Sequence, residues 1–216
     1  TLFFVIEDPH VAPADSNPTS TADLWHALPN KQLIFGLFIT TMLVQTVNTS
    51  INPIISLFVR ELTNNSNNTT FLAGVVAAMP GIATVFAAPQ FGKIGDRVGT
   101  HRMIKIGFCI AIAALVPTAF VTSVFMLMVF RFIIGISDAT MLPAVQTLLS
   151  KNSPSAMTGR IFSYNQSFQS IGSVMGPMFG ALVASVFDYR GIFIFSALLI
   201  VLNAILFNFN TKSLRK

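Results

Sequence analysis

The chain has 216 residues, 53% of them apolar and only 10% charged, with a mean hydropathy of +0.70. That balance excludes a soluble domain of this size, and long continuous apolar runs, rather than alternating ones, exclude a membrane barrel. The formal charge of +5 does not point to nucleic acid, because the basic residues gather at the ends of apolar runs, where charge sets topology.

The first six residues, Thr1 to Ile6, are apolar, with no initiator methionine and no signal-peptide charge pattern. They are expected to end a preceding transmembrane helix in a chain that starts mid-protein. Residues 7–30 carry Pro9, Pro13, Pro18 and Pro29 among polar residues and read as a cytoplasmic linker, with Trp25 placed to rest at the membrane surface. Six hydrophobic helices are predicted next, at about 31–59, 71–91, 103–121, 124–149, 161–187 and 192–209, each about long enough to cross a ~30 Å hydrocarbon core. A basic cytoplasmic tail, 210–216, closes the chain.

Orientation follows from the segment between the second and third helices, where Lys93, Arg97, Arg102 and Lys105 crowd together. With this turn placed inside, alternation also sorts Lys31, Lys151, Arg160, Lys212, Arg215 and Lys216 to the inner face. Only Arg60 and Arg190 fall outside, and Arg131 lies within a helix. The expected topology is therefore multi-pass in the cell membrane, with linker and C-terminus cytoplasmic. The external Asn64–Thr70 stretch holds sequons at Asn64, Asn67 and Asn68 that matter only in a secretory pathway; otherwise it is a polar loop.

An internal repeat is visible. Pro89-Gln-Phe-Gly92 recurs as Pro177-Met-Phe-Gly180, Asp96-Arg-Val-Gly99 as Asp188-Tyr-Arg-Gly191, and Pro53 as Pro143, all at offsets near about 90 residues, or three helices. Three crossings per copy invert one copy relative to the other, the plan of many secondary transporters.

Asp138 is the only acidic residue inside an apolar run. A carboxylate near mid-bilayer costs at least a few kcal/mol, so such groups usually face a cavity and handle ions or protons; hydrogen-bonded packing is the alternative. Arg131 stands one heptad earlier, ~10 Å away along the axis, too far for a simple ion pair; snorkelling to the headgroups is the plainer use for it. Thr41, Gln45, Asn48, Asn52 and Ser56 recur at three- and four-residue spacings and give the first helix a polar face. That face lines a substrate cavity or makes interhelical hydrogen bonds, the first reading being preferred. Tyr164, Asn165, Gln166 and Gln169 form a second polar cluster at the inner end of the fifth helix, which Gln146 can join. Gly172, Gly176, Gly180 and Ala184 make a smooth face for close helix approach, and Pro177 is expected to bend that helix.

In the charged turn, Gly92 is suited to tight helix contact and Gly99 to a left-handed turn. Asp96 can accept from amides at a helix N-terminus, and Arg97 and Arg102 can meet headgroups or carboxylates, together forming a latch on a moving bundle; a plain polar turn is the alternative. The single Cys109 and the histidines at 10, 26 and 101 form no disulfide framework and no metal box.

Gly92-x-x-x-Asp96-Arg97-x-Gly99 resembles the loop motif that the major facilitator superfamily carries between the second and third helices of each half. Ile94 stands at the family's leucine position, and Thr100-His101 at its usual basic pair, with Arg102 one place later. Arg131-x-x-x-Gly135 and Gly172-x-x-x-Gly176-Pro177-x-x-Gly180 resemble second-half counterparts of two further motifs, the latter the antiporter motif. From about Lys31 to its end the chain is similar to the C-terminal half of multidrug efflux proteins of the drug:proton antiporter branch. The resemblance implies an all-α fold of six transmembrane helices in two inverted three-helix repeats, one half of a major facilitator. It implies alternating access against an N-terminal half, a proton gradient as energy source with no cofactor, and a substrate cavity that would suit small amphipathic organic molecules.

Two enzyme-like rivals fail on chemistry. Gly135-Ile-Ser137-Asp138 looks like an intramembrane serine nucleophile, yet no transmembrane segment supplies a histidine base. An ATP-driven half-transporter needs a G-x-x-x-x-G-K-[ST] loop, which the sequence does not have. A non-transporting relic of a split transporter gene, inactive without its N-terminal half, stands as the alternative to a working transporter.

Overall fold

A computed structural model describes residues 30–64, 68–154 and 157–212, and every regular element among them is a helix. We label them α1 (Lys31–Leu62), α2 (Thr69–Val98), α3 (Thr100–Thr118) and α4 (Val124–Lys151), followed by one helical run, Thr158–Lys212. That run has 55 residues and breaks at Phe187 (φ −120°, ψ 18°) and Asp188 (φ 59°, ψ 179°). A straight helix of that length would span ~80 Å, more than twice a bilayer core. The break folds it into two antiparallel arms, α5 (158–186) and α6 (189–212), with Phe179 and Phe195 ring centroids 6.1 Å apart across the hairpin. All five runs are long and apolar enough to cross a membrane, and the last crosses twice, which gives six passes. The tail of 1–6, the 7–29 linker with Trp25, and Arg215 and Lys216 lie outside the described residues.

The charged turn differs from its expectation. Residues 92–98 belong to α2 and 100–102 to α3, so the loop shrinks to Gly99, at φ 94° and ψ 138°. Hydropathy marks where the oil ends, not where the helix ends; Lys93–Val98 holds no proline, and the ~1 kcal/mol cost of Gly95 is too small to stop the helix. For the same reason α1 and α6 outrun their predicted ends at 59 and 209, and α6 takes in residues 210–212 of the expected tail. The paired motif behaves otherwise. The second chain reversal falls at Phe187–Asp188, while Gly191 is helical and abuts the Phe187 side chain. A non-glycine residue at φ 59° costs about 1–3 kcal/mol and persists only where its surroundings hold it.

Helix α1 is the axis of the bundle. Leu33, Ile34, Leu37, Phe38, Val47, Ile51, Ile55 and Phe58 are buried along it, packed against α5 on one side and α6 on the other. The small-residue face of α5 meets the α1 backbone directly. A Cβ on Gly176 would stand 2.7 Å from the Thr46 carbonyl oxygen, and one on Gly180 2.5 Å from that of Ser50, while Gly172 faces Met42 and Gln45. Both helices advance together through these contacts, so they run parallel. Thr49 Oγ1 adds a 3.3 Å hydrogen bond to the Gly172 carbonyl.

The same packing recurs between α2 and α4. A Cβ on Gly135 would lie 2.5 Å from Pro80 Cα and 2.8 Å from Ala83 Cβ, and Thr84 Oγ1 donates to the Gly135 carbonyl at 3.2 Å. Shifted by about 90 residues in opposite senses, this pair becomes the Gly172–Gln45 contact, so the inverted repeat seen in the sequence holds at the level of packing. Helices α3 and α6 complete the bundle. Ser137 on α4 donates to Gly107 O at 2.8 Å, and Asn203 Nδ2 on α6 donates to Thr40 O at 3.3 Å.

Candidate functional site at the contact of α1 and α4

Four polar residues of the transmembrane region, Asn48, Asn52, Arg131 and Asp138, meet where α1 and α4 run antiparallel. Arg131, two turns into α4, is 3% exposed, so it turns into the protein and does not snorkel. One guanidinium nitrogen donates to Asn52 Oδ1 at 3.3 Å, while its buried Nε has no hydrogen-bond partner. One turn earlier on α1, Asn48 is the hydrogen-bonding neighbour of the Asp138 carboxyl, and Arg131 lies close enough for the two charges to act on each other. Asn48 and Asn52 thus form a ladder across the gap that separates Arg131 and Asp138 on their own helix. A buried guanidinium is costly unless its charge is answered, here by the Asn52 amide and the nearby Asp138 carboxylate. Asp138 as a whole residue is half-buried.

The remaining stripe residues divide. Thr41 Oγ1 donates to Asn165 Oδ1 at 2.7 Å, tying α1 to α5 in a buried pair, and Ser56 bonds back to Pro53 O at 3.3 Å. Gln45 is half-buried beside Gly172, and Asn52 keeps an exposed side. The stripe therefore carries interhelical bonds at Thr41 and Asn52 while leaving an open polar edge. Asn165 is buried, whereas Gln146, Gln166 and Tyr164 are exposed, so the structure does not gather them with the Asp138 group. Gly172, Gly176 and Gly180 are buried against α1, while Pro177 points outward.

At the Gly99 end, Arg102 is exposed, and the side chains of Asp96 and Arg97 lie outside the described residues. Gly92 is exposed, with no described atom within 4 Å of where its Cβ would be, so no close helix contact forms there. With Gly95, Thr100, Met103 and the α4 residues 139–147 it lines a cleft of about 40 Å³, room for a water or two. Among the described residues no group of three or more His, Cys, Asp or Glu is placed to hold a metal. Ser137, weighed from the sequence only as a nucleophile, instead bonds α4 to α3, and Asn203, which the sequence showed as a polar residue inside an apolar run, bonds α6 to α1.

Six apolar passes and an inverted packing repeat define a polytopic α-helical membrane protein with an intramembrane Arg–Asn–Asp group. Residues 37–215 match the Major Facilitator Superfamily model, and the chain belongs to that family. It is 40% identical, along its whole length, to the multidrug resistance protein MdtG of Klebsiella pneumoniae (strain 342), of which it covers 52%. With MdtG of Salmonella heidelberg (strain SL476) the identity is 39% over 222 residues, again across 52% of that protein. The chain spans about half the length of the curated relatives it matches, and the half is C-terminal. Crystal structures of peptide transporter POT, in complex with sulfate and with alafosfalin, match 90% of this chain and 42% of theirs, each with a TM-score of 0.76. At 16% identity that likeness shows the shared fold alone.

Proposed function

We propose that the chain is the C-terminal half of a proton-coupled multidrug efflux transporter, not an enzyme, that works by alternating access against an N-terminal half. The observation that carries this reading is the α1–α4 group itself: a half-buried aspartate, Asp138, bonded to Asn48 and within electrostatic reach of the buried Arg131 that Asn52 holds. A proton arriving on Asp138 removes its charge and with it the attraction to Arg131. The guanidinium then rests on Asn52 alone, and the balance between two arrangements of α1 and α4 shifts. Loss of the proton restores the pairing. The transmembrane proton gradient is the energy source, and no bound cofactor is required.

The open polar edge of Gln45, Asn48 and Asn52, with Gln146 and Gln166 nearer the Gly99 end, supplies hydrogen-bonding groups for a small amphipathic organic substrate. In this reading the Gly99 end faces the cytoplasm, and the Asp96–Arg97–Arg102 segment latches one state of the bundle. It is consistent with the likeness to MdtG, a multidrug resistance protein.

The test is Asp138→Asn in the intact two-half transporter, measured as drug transport in everted vesicles after a proton gradient is imposed. Transport driven by the gradient should be lost while membrane insertion is retained. Unchanged gradient-driven transport would remove Asp138 from the mechanism.

A further inference from the structure

Away from the α1–α4 contact, a second polar cluster sits where α3 begins and α6 finishes. Arg102 and Lys105 are exposed and three residues apart on α3, so they share one face. Lys105 Nζ donates to Asn208 Oδ1 at 2.7 Å across the α3–α6 seam. That bond uses the acceptor of the amide and leaves its two N–H donors for another group. The floor beneath is firm: Phe207 packs against His101 and Phe108 with ring centroids 6.0 and 5.9 Å away.

Among the described side chains the carboxylates are elsewhere, Glu61 and Asp188 at the opposite end of the bundle and Asp138 within α4, so none of these three neutralises the two cations. The neighbouring surface is apolar and open, with Ile106 at 40%, Ile205 at 48% and Phe209 at 68% exposure. Lys105 is the sixth residue of α3, ~7.5 Å from its start, the depth at which acyl chains give way to headgroups. A cluster of donors with no carboxylate among the described side chains around it, set above an apolar wall at that depth, has the chemistry of a lipid phosphate site.

We propose that Arg102, Lys105 and the Asn208 amide bind the phosphate of an anionic phospholipid, whose acyl chains lie along the exposed sides of α3 and α6. An anionic headgroup is favoured over a zwitterionic one because no ammonium of its own competes for the phosphate.

The test is lipid binding to the purified chain in detergent, followed by native mass spectrometry with phosphatidylglycerol and phosphatidylcholine as probes. Two surface cations lead us to expect phosphatidylglycerol to bind roughly tenfold tighter or more. R102Q/K105Q should bring it to the phosphatidylcholine level, Asn208→Asp should weaken it, and Arg190→Gln at the other end should leave it unchanged. Thermal unfolding of each variant separates lost binding from lost folding, and Asn208→Asp keeps the site testable if the double variant does not fold. Equal affinity for the two lipids, full retention in R102Q/K105Q or Asn208→Asp, or an equal loss in Arg190→Gln would overturn the proposal. Displacement of the lipid by inorganic phosphate would also overturn it and mark a free-anion site instead.

Discussion

Replacing Gly176 by alanine tests how the bundle is held together. The new methyl would meet the Thr46 carbonyl oxygen at 2.7 Å and the Ser50 nitrogen at 3.0 Å. Both are backbone atoms that cannot swing aside. An ordinary carbon–oxygen contact needs ~3.3 Å, so α1 and α5 must part by roughly 0.6 Å at this crossing. A gap of that size forfeits about a quarter to a half of the attraction at each nearby contact, and overpacking of this kind costs about 1–3 kcal/mol. Gly81 on α2 provides the matched control, since nothing lies within 4 Å of its would-be Cβ. There the same substitution should be neutral, or stabilising by up to about 1 kcal/mol through helix propensity. The assay is unfolding in a titration of mixed micelles, followed by circular dichroism. Opposite or clearly unequal shifts are expected, with Gly176→Ala the less stable. Equal shifts would refute the claim that α5 rests on the α1 backbone.

Three further substitutions probe other contacts. Thr41→Val removes the buried 2.7 Å bond to Asn165 and should cost about 0.6 kcal/mol, at most about 1.7, in the same assay. Gly99→Ala forces a methyl-bearing residue to φ 94° and should cost about 1–3 kcal/mol, more than an alanine placed at the open Gly92. Thr100→Cys in a Cys109→Ser background should be unreactive to a membrane-impermeant thiol reagent in intact cells and reactive in everted vesicles; labelling from outside would invert the topology.

Much of the fold was legible because hydropathy and charge act over whole helices. Six apolar segments required only a count, and the spacing of Gly172, Gly176 and Gly180 was readable as a packing face. Helix ends were not, since an amphipathic run such as Lys93–Val98 stays helical after it leaves the oil. The break at Asp188 was also hidden: its φ of 59° belongs to a conformation that sequence preference assigns to glycine, and the nearby Gly191 was the natural candidate. Asp138 stood out as the lone acid in an apolar run, whereas its link to Arg131 did not. Seven residues of one helix keep them apart, and only the arrival of Asn48 and Asn52 from α1 joins them. Sequence spacing describes one helix at a time, and that group is made by two.

The proposed role of Asp138 is tested most directly by proton exchange in the purified intact transporter. Adding a transported drug in weakly buffered detergent solution should release protons from the wild type, seen with a pH-sensitive dye, and release none from Asp138→Asn while drug still binds. Undiminished proton release from Asp138→Asn would contradict the account, because the coupling carboxyl would then lie elsewhere.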